Sequence, residues 1–116
     1  MDIKLVNKGT EGELILEGRL DSAAAQEADA LIMSTVERFN TLVLNLEKLE
    51  YTASSGLRII RNLQVAMNKK GGELLITEDT MKALEGRIVT EYVEAMALKG
   101  KAEPVNVYRV LETKEN

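Results

Sequence analysis

Two compact apolar runs on either side of a segment with helical periodicity restrict the fold of this sequence more than any other feature. The runs span residues 42–46 (LVLNL) and 74–76 (LLI), and both are typical of strands that are covered on two faces. Between them, Leu57, Ile60 and Leu63 recur at helical spacing. Because a strand, a helix and a second strand in this order favour parallel pairing, the sequence predicts a layered α/β domain with most helices on one sheet face.

The N-terminal part of the chain shows the same kind of alternation. Residues 3–6 and 14–16 are apolar runs separated by a polar segment rich in turn formers, which predicts a strand, a loop and a second strand. An alanine-rich stretch with apolar residues at helical spacing then predicts a first helix over residues 22–39. Either Asp21 or Ser22 is suited to cap its first turn.

Capping residues mark the boundaries of two further predicted helices. Ser54 and Ser55 stand near the expected N-cap of the second helix. Lys69 and Lys70 place cations in its last turn, ahead of two glycines. A third, short helix is predicted over residues 77–84, where a threonine and two acidic residues suit a helix start.

The C-terminal segment is less clear from its pattern. Residues 87–98 have apolar side chains at helical spacing, yet their alternate residues suit a strand nearly as well, so periodicity leaves both open. A loop over residues 99–104 and a terminal strand over 105–110 follow, and 114–116 are expected to fray. A chain of 116 residues predicts a single domain, 1–116.

Composition excludes several classes of function. The chain has no Cys and no His, which excludes disulfides, thiolate or imidazole metal sites, and catalysis by Ser-His-Asp or Cys-His groups. A net charge of −4 with three Tyr, one Phe and no Trp argues against nucleic-acid binding. No apolar stretch is long enough to cross a membrane, so we expect a cytoplasmic protein. We also expect it to hold no metal or other cofactor.

The segment most suggestive of function spans residues 49–58 (LEYTASSGLR). Here a strand passes through a short loop and brings two serine hydroxyls and a glycine to the first turn of a helix. Unpaired backbone N–H groups and the positive end of the helix dipole meet there, so a phosphate would be well accommodated. The alternative is that Ser54 and Ser55 only cap the helix.

This segment resembles the anti-sigma factor antagonist family, the STAS domains. The resemblance spans about residues 1–77 and includes the turn at 17–21 and the approach to a strand at 70–76 (KGGELLI). It implies a mixed β-sheet with helices mainly on one face. It also implies that the serine phosphorylated in the family corresponds to Ser55, which directly precedes Gly56.

The resemblance further implies how such a protein acts. The partner is an anti-sigma factor that is also a serine protein kinase, and it binds the unmodified protein and is released by phosphorylation. Ser54 and Thr52 are alternative acceptors. At Ala53 the chain departs from the family, whose regulated members often have Asp there. The partner-binding residues that the resemblance implies are Asp21, Ser54, Gly56 and Arg58.

Unmodified Ser55 is expected to lie in the open as a small polar spot, while a phosphate would add about −1.5 to −2 charge and three strong acceptors. Arg58, one turn further along the helix, is placed to pair with that phosphate. Binding would then be switched without refolding.

The C-terminal part has a second resemblance. Residues 72–113, above all the run 98–108 (LKGKAEPVNVY), look like the C-terminal end of class III adenylate/guanylate cyclase domains. That resemblance implies a β-hairpin-like ending and favours a strand over residues 87–98. It suggests a natural or engineered chimera in which 78–116 completes a STAS-like part, 1–77. The metal-binding aspartates of cyclases have no counterpart here, so we expect no enzyme activity; the alternative to signalling is a purely structural domain.

Overall fold

A computed structural model describes residues 1–114 of the chain. Within them, seven strands and three helices follow one another in this order: β1 (Asp2–Lys8), β2 (Glu11–Arg19), α1 (Ser22–Val36), β3 (Thr41–Asn45), β4 (Leu49–Glu50), α2 (Ala53–Lys69), β5 (Glu73–Thr77), α3 (Glu78–Ala83), β6 (Ile88–Met96) and β7 (Val105–Thr113). The strands lie side by side as β1-β2-β3-β5-β7-β6, and β4 pairs with β2 beside this path.

The sheet is mixed, with parallel strands at its centre. Strand β3 pairs in parallel with both β2 and β5, while the pairs β1–β2, β5–β7 and β6–β7 are antiparallel. Helices connect these parallel strands, because two parallel neighbours need a crossover connection between them. The predicted α/β class with a mixed sheet is confirmed.

One face of the sheet forms the main core with the helices. Leu42 and Leu44 of β3 are fully buried on this face, because alternate residues of a strand point to the same side. Ile32 of α1 and Ile60 of α2 pack into the same cluster, and Met81 of α3 packs against it. All three helices therefore cover the same face, as predicted.

The opposite face is covered by the C-terminal hairpin. Val43 and Leu75 point to this side and are buried against Leu98 and Val107. Since both faces of β3 and β5 are covered, the three central positions of each strand, residues 42–44 and 74–76, are all apolar. This burial explains the two compact runs in the sequence.

Residues 87–98 contain a strand, β6 (Ile88–Met96), which pairs with β7 in an antiparallel hairpin. The pairing register shifts between Val89 and Thr90 and again between Tyr92 and Glu94. At each irregularity, the side of the strand that faces the core changes. The alternation of apolar and polar residues is therefore interrupted, and the spacing of the apolar residues resembles that of a helix. The predicted hairpin-like ending is confirmed.

Helix α1 is shorter than the prediction of residues 22–39, because it ends at Val36. Phe39 turns into the core instead and packs so closely on Gly12 that a Cβ there would lie 2.8 Å from its ring. The Nζ of Lys70 donates hydrogen bonds to the Val36 carbonyl at 2.6 Å and the Phe39 carbonyl at 2.8 Å. Lys70 was predicted as a cation in the last turn of α2, and it is the C-cap residue of that helix. Its ammonium group, however, binds carbonyl groups at the end of α1.

Three other predicted boundaries differ from the structure. Residues 17–19 of the predicted turn belong to β2, which pairs there with β4, a strand that the sequence did not reveal. Thr77 is the N-cap of α3, yet its side chain does not bond to the helix backbone and lies 3.4 Å from the Thr80 hydroxyl. Of the predicted frayed end, Lys114 donates its amide to the Arg87 carbonyl, and residues 115–116 lie outside the described residues.

A buried carboxylate ties the hairpin to the sheet. Glu13 of β2 is fully buried on the face opposite the helices. Its two oxygens accept hydrogen bonds from the Asn45 amide and from the backbone N–H of Lys99, each at 3.2 Å, and Lys8 Nζ lies 3.6 Å away. Because a buried carboxylate is costly without such partners, these contacts fix the position of the β6–β7 connection.

Replacing Glu13 with Ala leaves the Asn45 and Lys99 donors without their acceptor, so we expect the free energy of unfolding to fall by about 2–3 kcal/mol. Glu13→Gln keeps one acceptor oxygen and should cost less. Urea denaturation measures both. The control is Glu17→Ala on the same strand, whose carboxylate forms surface ion pairs; an equal loss in this variant would contradict the account.

Replacing Lys70 with Met keeps the aliphatic stem and removes the ammonium from the end of α1. We expect a loss of about 1–2 kcal/mol of unfolding free energy, because hydrogen bonds from a charged donor are among the stronger ones. Faster amide hydrogen exchange in the last turn of α1 should accompany it. Lys69→Met removes the same charge one residue earlier and should leave α1 unchanged; equal exchange in the two variants would refute this role of Lys70.

Candidate functional site

The candidate site lies where the parallel strands end and their helices begin. Helices α1, α2 and α3 each follow a strand of the parallel set, so their N-termini share one edge of the sheet. In open α/β sheets this edge, at the carboxyl ends of the strands, is where sites are usually built. The N-termini of α1 and α2 hold the residues that the sequence singled out.

Thr52, and not a serine, is the N-cap of α2. Its hydroxyl accepts a hydrogen bond from the backbone N–H of Ser55 at 3.1 Å, and the Ser55 hydroxyl accepts one from the backbone N–H of Thr52 at 3.0 Å. These reciprocal bonds form a capping box, which satisfies two backbone donors at the helix start. Of the two serines expected to cap the helix, Ser55 takes part in the box as the third helical residue, while the N-cap itself is Thr52, whose backbone is extended.

The Ser55 side chain is half-buried and does not lie in the open as expected. Besides its bond in the capping box, its hydroxyl donates to the carbonyl of Thr52 at 3.0 Å, and the Thr52 hydroxyl lies 3.0 Å away. The stretch is helical as predicted, and Ser54 and Thr52 are exposed. The Ser55 hydroxyl is therefore held in one orientation by Thr52, three residues earlier in the chain.

Pairing between β2 and β4 brings the two helix starts together. Arg19 of β2 lies opposite Glu50 of β4, and the backbone N–H of Leu20 donates to the Glu50 carbonyl at 2.8 Å. Directly after Leu20, Asp21 is the N-cap of α1 and accepts a hydrogen bond from the Ala24 N–H at 2.8 Å. Of the two predicted caps, Asp21 fills the role.

An open cleft of about 570 Å³ separates the two helix starts. Its lining residues come from the end of β2, the start of α1, β4 and the first turns of α2: Arg19, Leu20, Asp21, Ser22, Ala25, Glu50, Tyr51, Thr52, Ser54, Ser55, Arg58 and Ile59. The structure thus brings Asp21, Ser54, Ser55 and Arg58 around one space. The sequence did not reveal the contributions of Arg19 and Glu50, which depend on the β2–β4 pairing.

Gly56, the remaining predicted partner-binding residue, does not line this cleft. It is buried, and a Cβ built on it would lie 2.6 and 2.7 Å from two carbons of the Tyr51 ring. The ring therefore fills the space that a side chain at position 56 would need. Gly56 thus allows the Tyr51 ring to pack directly against the first turn of α2.

Tyr51 also connects the cleft to α3. Burial raises the pKa of the Tyr51 phenol above its ordinary value, a hydrogen bond with Thr80 acts in the opposite direction, and the nearby Asp79 carboxylate raises it further. The phenol is consequently neutral at pH 7 and acts as a hydrogen-bonding group.

Two other features that commonly indicate a function are a cluster of metal-binding side chains and a membrane-spanning helix. Among residues 1–114, no three Asp or Glu side chains are grouped so that they would hold a metal ion. In the same part of the chain, no helix combines the length and apolar character needed to cross a bilayer.

Gly56→Ala tests the packing under the site. The new methyl group would clash with Tyr51, so we expect a loss of about 1–3 kcal/mol of unfolding free energy. This loss should appear although Ala is favoured over Gly in a helix by about 1 kcal/mol. Thermal and urea unfolding measure it.

Combining Gly56→Ala with Tyr51→Ala removes the clash. The double variant should therefore lose less stability than the two single variants together. Strictly additive losses would show that Tyr51 does not determine the need for glycine at position 56.

Comparison with known proteins agrees with this geometry. The family model of the STAS domain matches residues 4–79. A protein of Bordetella bronchiseptica, named as the anti-sigma factor antagonist BtrV, is 32% identical over 79 residues, which cover 66% of this chain and 68% of BtrV.

Two solved structures of the anti-sigma factor antagonist SpoIIAA have a similar fold. The unphosphorylated form has a TM-score of 0.56 at 20% identity, covering 66% of this chain and 73% of that chain. The phosphorylated form, described as a Bacillus cell fate determinant, has a TM-score of 0.52 at 21% identity, covering 63% and 68%. Family model, relative and fold agree, and the chain belongs to the STAS domain family as a member similar to anti-sigma factor antagonists.

Proposed function

We propose that this protein is a cytoplasmic regulator that binds an anti-sigma factor with serine kinase activity and is switched by phosphorylation of Ser55. The proposal rests mainly on one observation: the Ser55 side chain lines a cleft at the N-terminus of α2, beside Arg58. The names of the relatives support it, because BtrV and SpoIIAA are both called anti-sigma factor antagonists and SpoIIAA has a phosphorylated form.

The partner is proposed to dock over the rim of the cleft. Asp21, Ser54 and Arg58 reach this rim from the starts of α1 and α2, and Ser54 and Arg58 are exposed. Gly56 contributes indirectly, because it lets the first turn of α2 settle on Tyr51. A partner side chain that enters the cleft would lie close to Ser55.

Phosphorylation of Ser55 would change the charge of this surface without breaking the helix. The modified oxygen can no longer donate to the Thr52 carbonyl, but it can still accept from the Thr52 N–H. The phosphate adds about −1.5 to −2 charge in the first turn of α2, where the helix dipole favours an anion. Arg58, three residues further on, is on the neighbouring turn and is placed to pair with it.

Ser54 and Thr52 are the alternative acceptors. Both are exposed, while Ser55 must first give up the hydrogen bond that it donates to Thr52. Ala53, at the first helical position, is partly buried against the core and gives the kinase a methyl group where regulated relatives often have a carboxylate. Recognition of this chain is therefore proposed to depend more on the cleft than on position 53.

A second candidate is a structural domain with no signalling activity, built as a chimera with a cyclase-like C-terminal part. The observation that favours it is the end of the family match at residue 79, while β6 and β7 follow later. We nevertheless propose one domain over residues 1–116, because β7 pairs with β5 inside the same sheet. No cyclase or other enzyme activity is proposed for it.

Incubation with ATP and a purified anti-sigma factor kinase from the source genome should add one phosphoryl group per chain, seen as an intact-mass increase. Peptide mapping should place it on Ser55. Ser55→Ala should abolish the addition, and Ser54→Ala should retain it. Phosphate on Ser54 or Thr52 would contradict the assignment, and no phosphate with any such kinase would favour the structural candidate.

Calorimetric titration of the same kinase tests the switch. Ser55→Ala should bind with an affinity close to that of the unmodified protein, whereas Ser55→Asp should bind at least tenfold more weakly. Asp suits the first turn of a helix, so the variant is expected to fold. Equal affinities of the two variants would refute the switch.

A further inference from the structure

The distribution of charge along α2 differs from that of the rest of the chain. Its 17 residues hold three of the 15 basic residues and none of the 19 acidic ones. The chain as a whole has a net charge of −4, so the cationic character of α2 stands out against an acidic surface. The three basic residues are Arg58, Arg61 and Lys69.

These cations lie on the side of α2 that faces away from the core. Leu57, Ile60 and Leu63 are buried inward, whereas Arg58, Val65 and Lys69 are exposed. Arg58, Val65 and Lys69 are seven and four residues apart, a spacing that puts them on one face over about 16 Å of helix. Val65, with 44% of its surface exposed, lies between the two cations.

Grooves between α1 and α2 connect this stripe to the cleft at Ser55. A groove of about 700 Å³ shares Arg58 and Ile59 with the cleft. A second groove of about 330 Å³ continues to Val65 and Lys69. The α1 side contributes one carboxylate, Asp29, to both grooves.

We infer that the stripe formed by Arg58, Val65 and Lys69 is a docking surface for an acidic segment of the partner, which carries an apolar side chain between its carboxylates. This inference rests on the proposed function and specifies the partner surface that function needs. Charge complementarity supports it, because the stripe is a cationic face in an acidic chain. The exposed Val65 favours a protein segment as the ligand. A site for single-stranded nucleic acid usually combines cations with aromatic side chains, and a site for a lipid surface combines them with larger apolar side chains.

The inference also connects docking to the switch. Arg58 belongs both to the stripe and to the turn that follows Ser55. A phosphate on Ser55 would pair with Arg58 and withdraw it from the partner's carboxylate. Phosphorylation would then weaken the end of the stripe nearest the cleft, while Lys69 would remain available.

The test measures binding of the anti-sigma factor kinase to variants that leave the cleft intact. Lys69→Glu and Val65→Asp should each weaken binding at least tenfold, and Lys69→Gln should have a smaller effect. Binding of the unmodified protein should also weaken as salt rises. Lys4→Glu is the control: it makes the same charge reversal on β1, at a position that alternates with the core-facing Ile3 and Leu5. It breaks a surface ion pair with Glu17, far along the chain from α2, and should leave the affinity unchanged.

The outcomes separate this inference from the proposed function. If the kinase binds and phosphorylates Ser55 while Lys69→Glu and Val65→Asp bind normally, the docking surface is refuted and the proposed function stands. If no such kinase binds, both are refuted. Vesicles of phosphatidylglycerol and phosphatidylcholine and a single-stranded oligonucleotide complete the set; binding of either probe that is lost in Lys69→Glu would assign the stripe to another class of ligand and overturn the inference.

Discussion

Burial of the central strands on both faces is the constraint on which the rest of the structure depends. In β3, Leu42 and Leu44 face the helices while Val43 faces the C-terminal hairpin, and all three are fully buried. With β3 and β5 parallel and covered, their connections must cross the helix face, and their helices must start at one edge. The candidate site is a consequence of this arrangement, since Ser55 lies at one of those helix starts.

Local hydrogen bonds then give the site its form. The short pairing of β4 with β2 holds Arg19 and Glu50 side by side and brings the start of α1 towards the start of α2. The capping box between Thr52 and Ser55 fixes the first turn of α2 and orients the Ser55 hydroxyl. The same bonds that stabilise the helix start therefore determine how readily that hydroxyl reaches a kinase.

The sequence was sufficient where burial creates a strong pattern and insufficient where a single contact decides. The apolar runs predicted β3 and β5, and the residues around Ser55 predicted a helix start. Glu13 was missed as a buried residue because a carboxylate is usually exposed, and its burial depends on distant donors such as the Lys99 N–H. The role of Lys70 at the end of α1 was missed for the same reason, as the carbonyls that its ammonium contacts lie over thirty residues away.

The central claim is that phosphorylation of Ser55 changes the surface of the cleft without changing the fold. The most direct test compares backbone amide chemical shifts of the unmodified protein and of protein stoichiometrically phosphorylated on Ser55. The account predicts changes confined to the cleft and the first turns of α2, with the shifts of β3, β5 and the C-terminal hairpin preserved. Changes that spread through the central strands would show that the modification refolds the domain and would contradict the account.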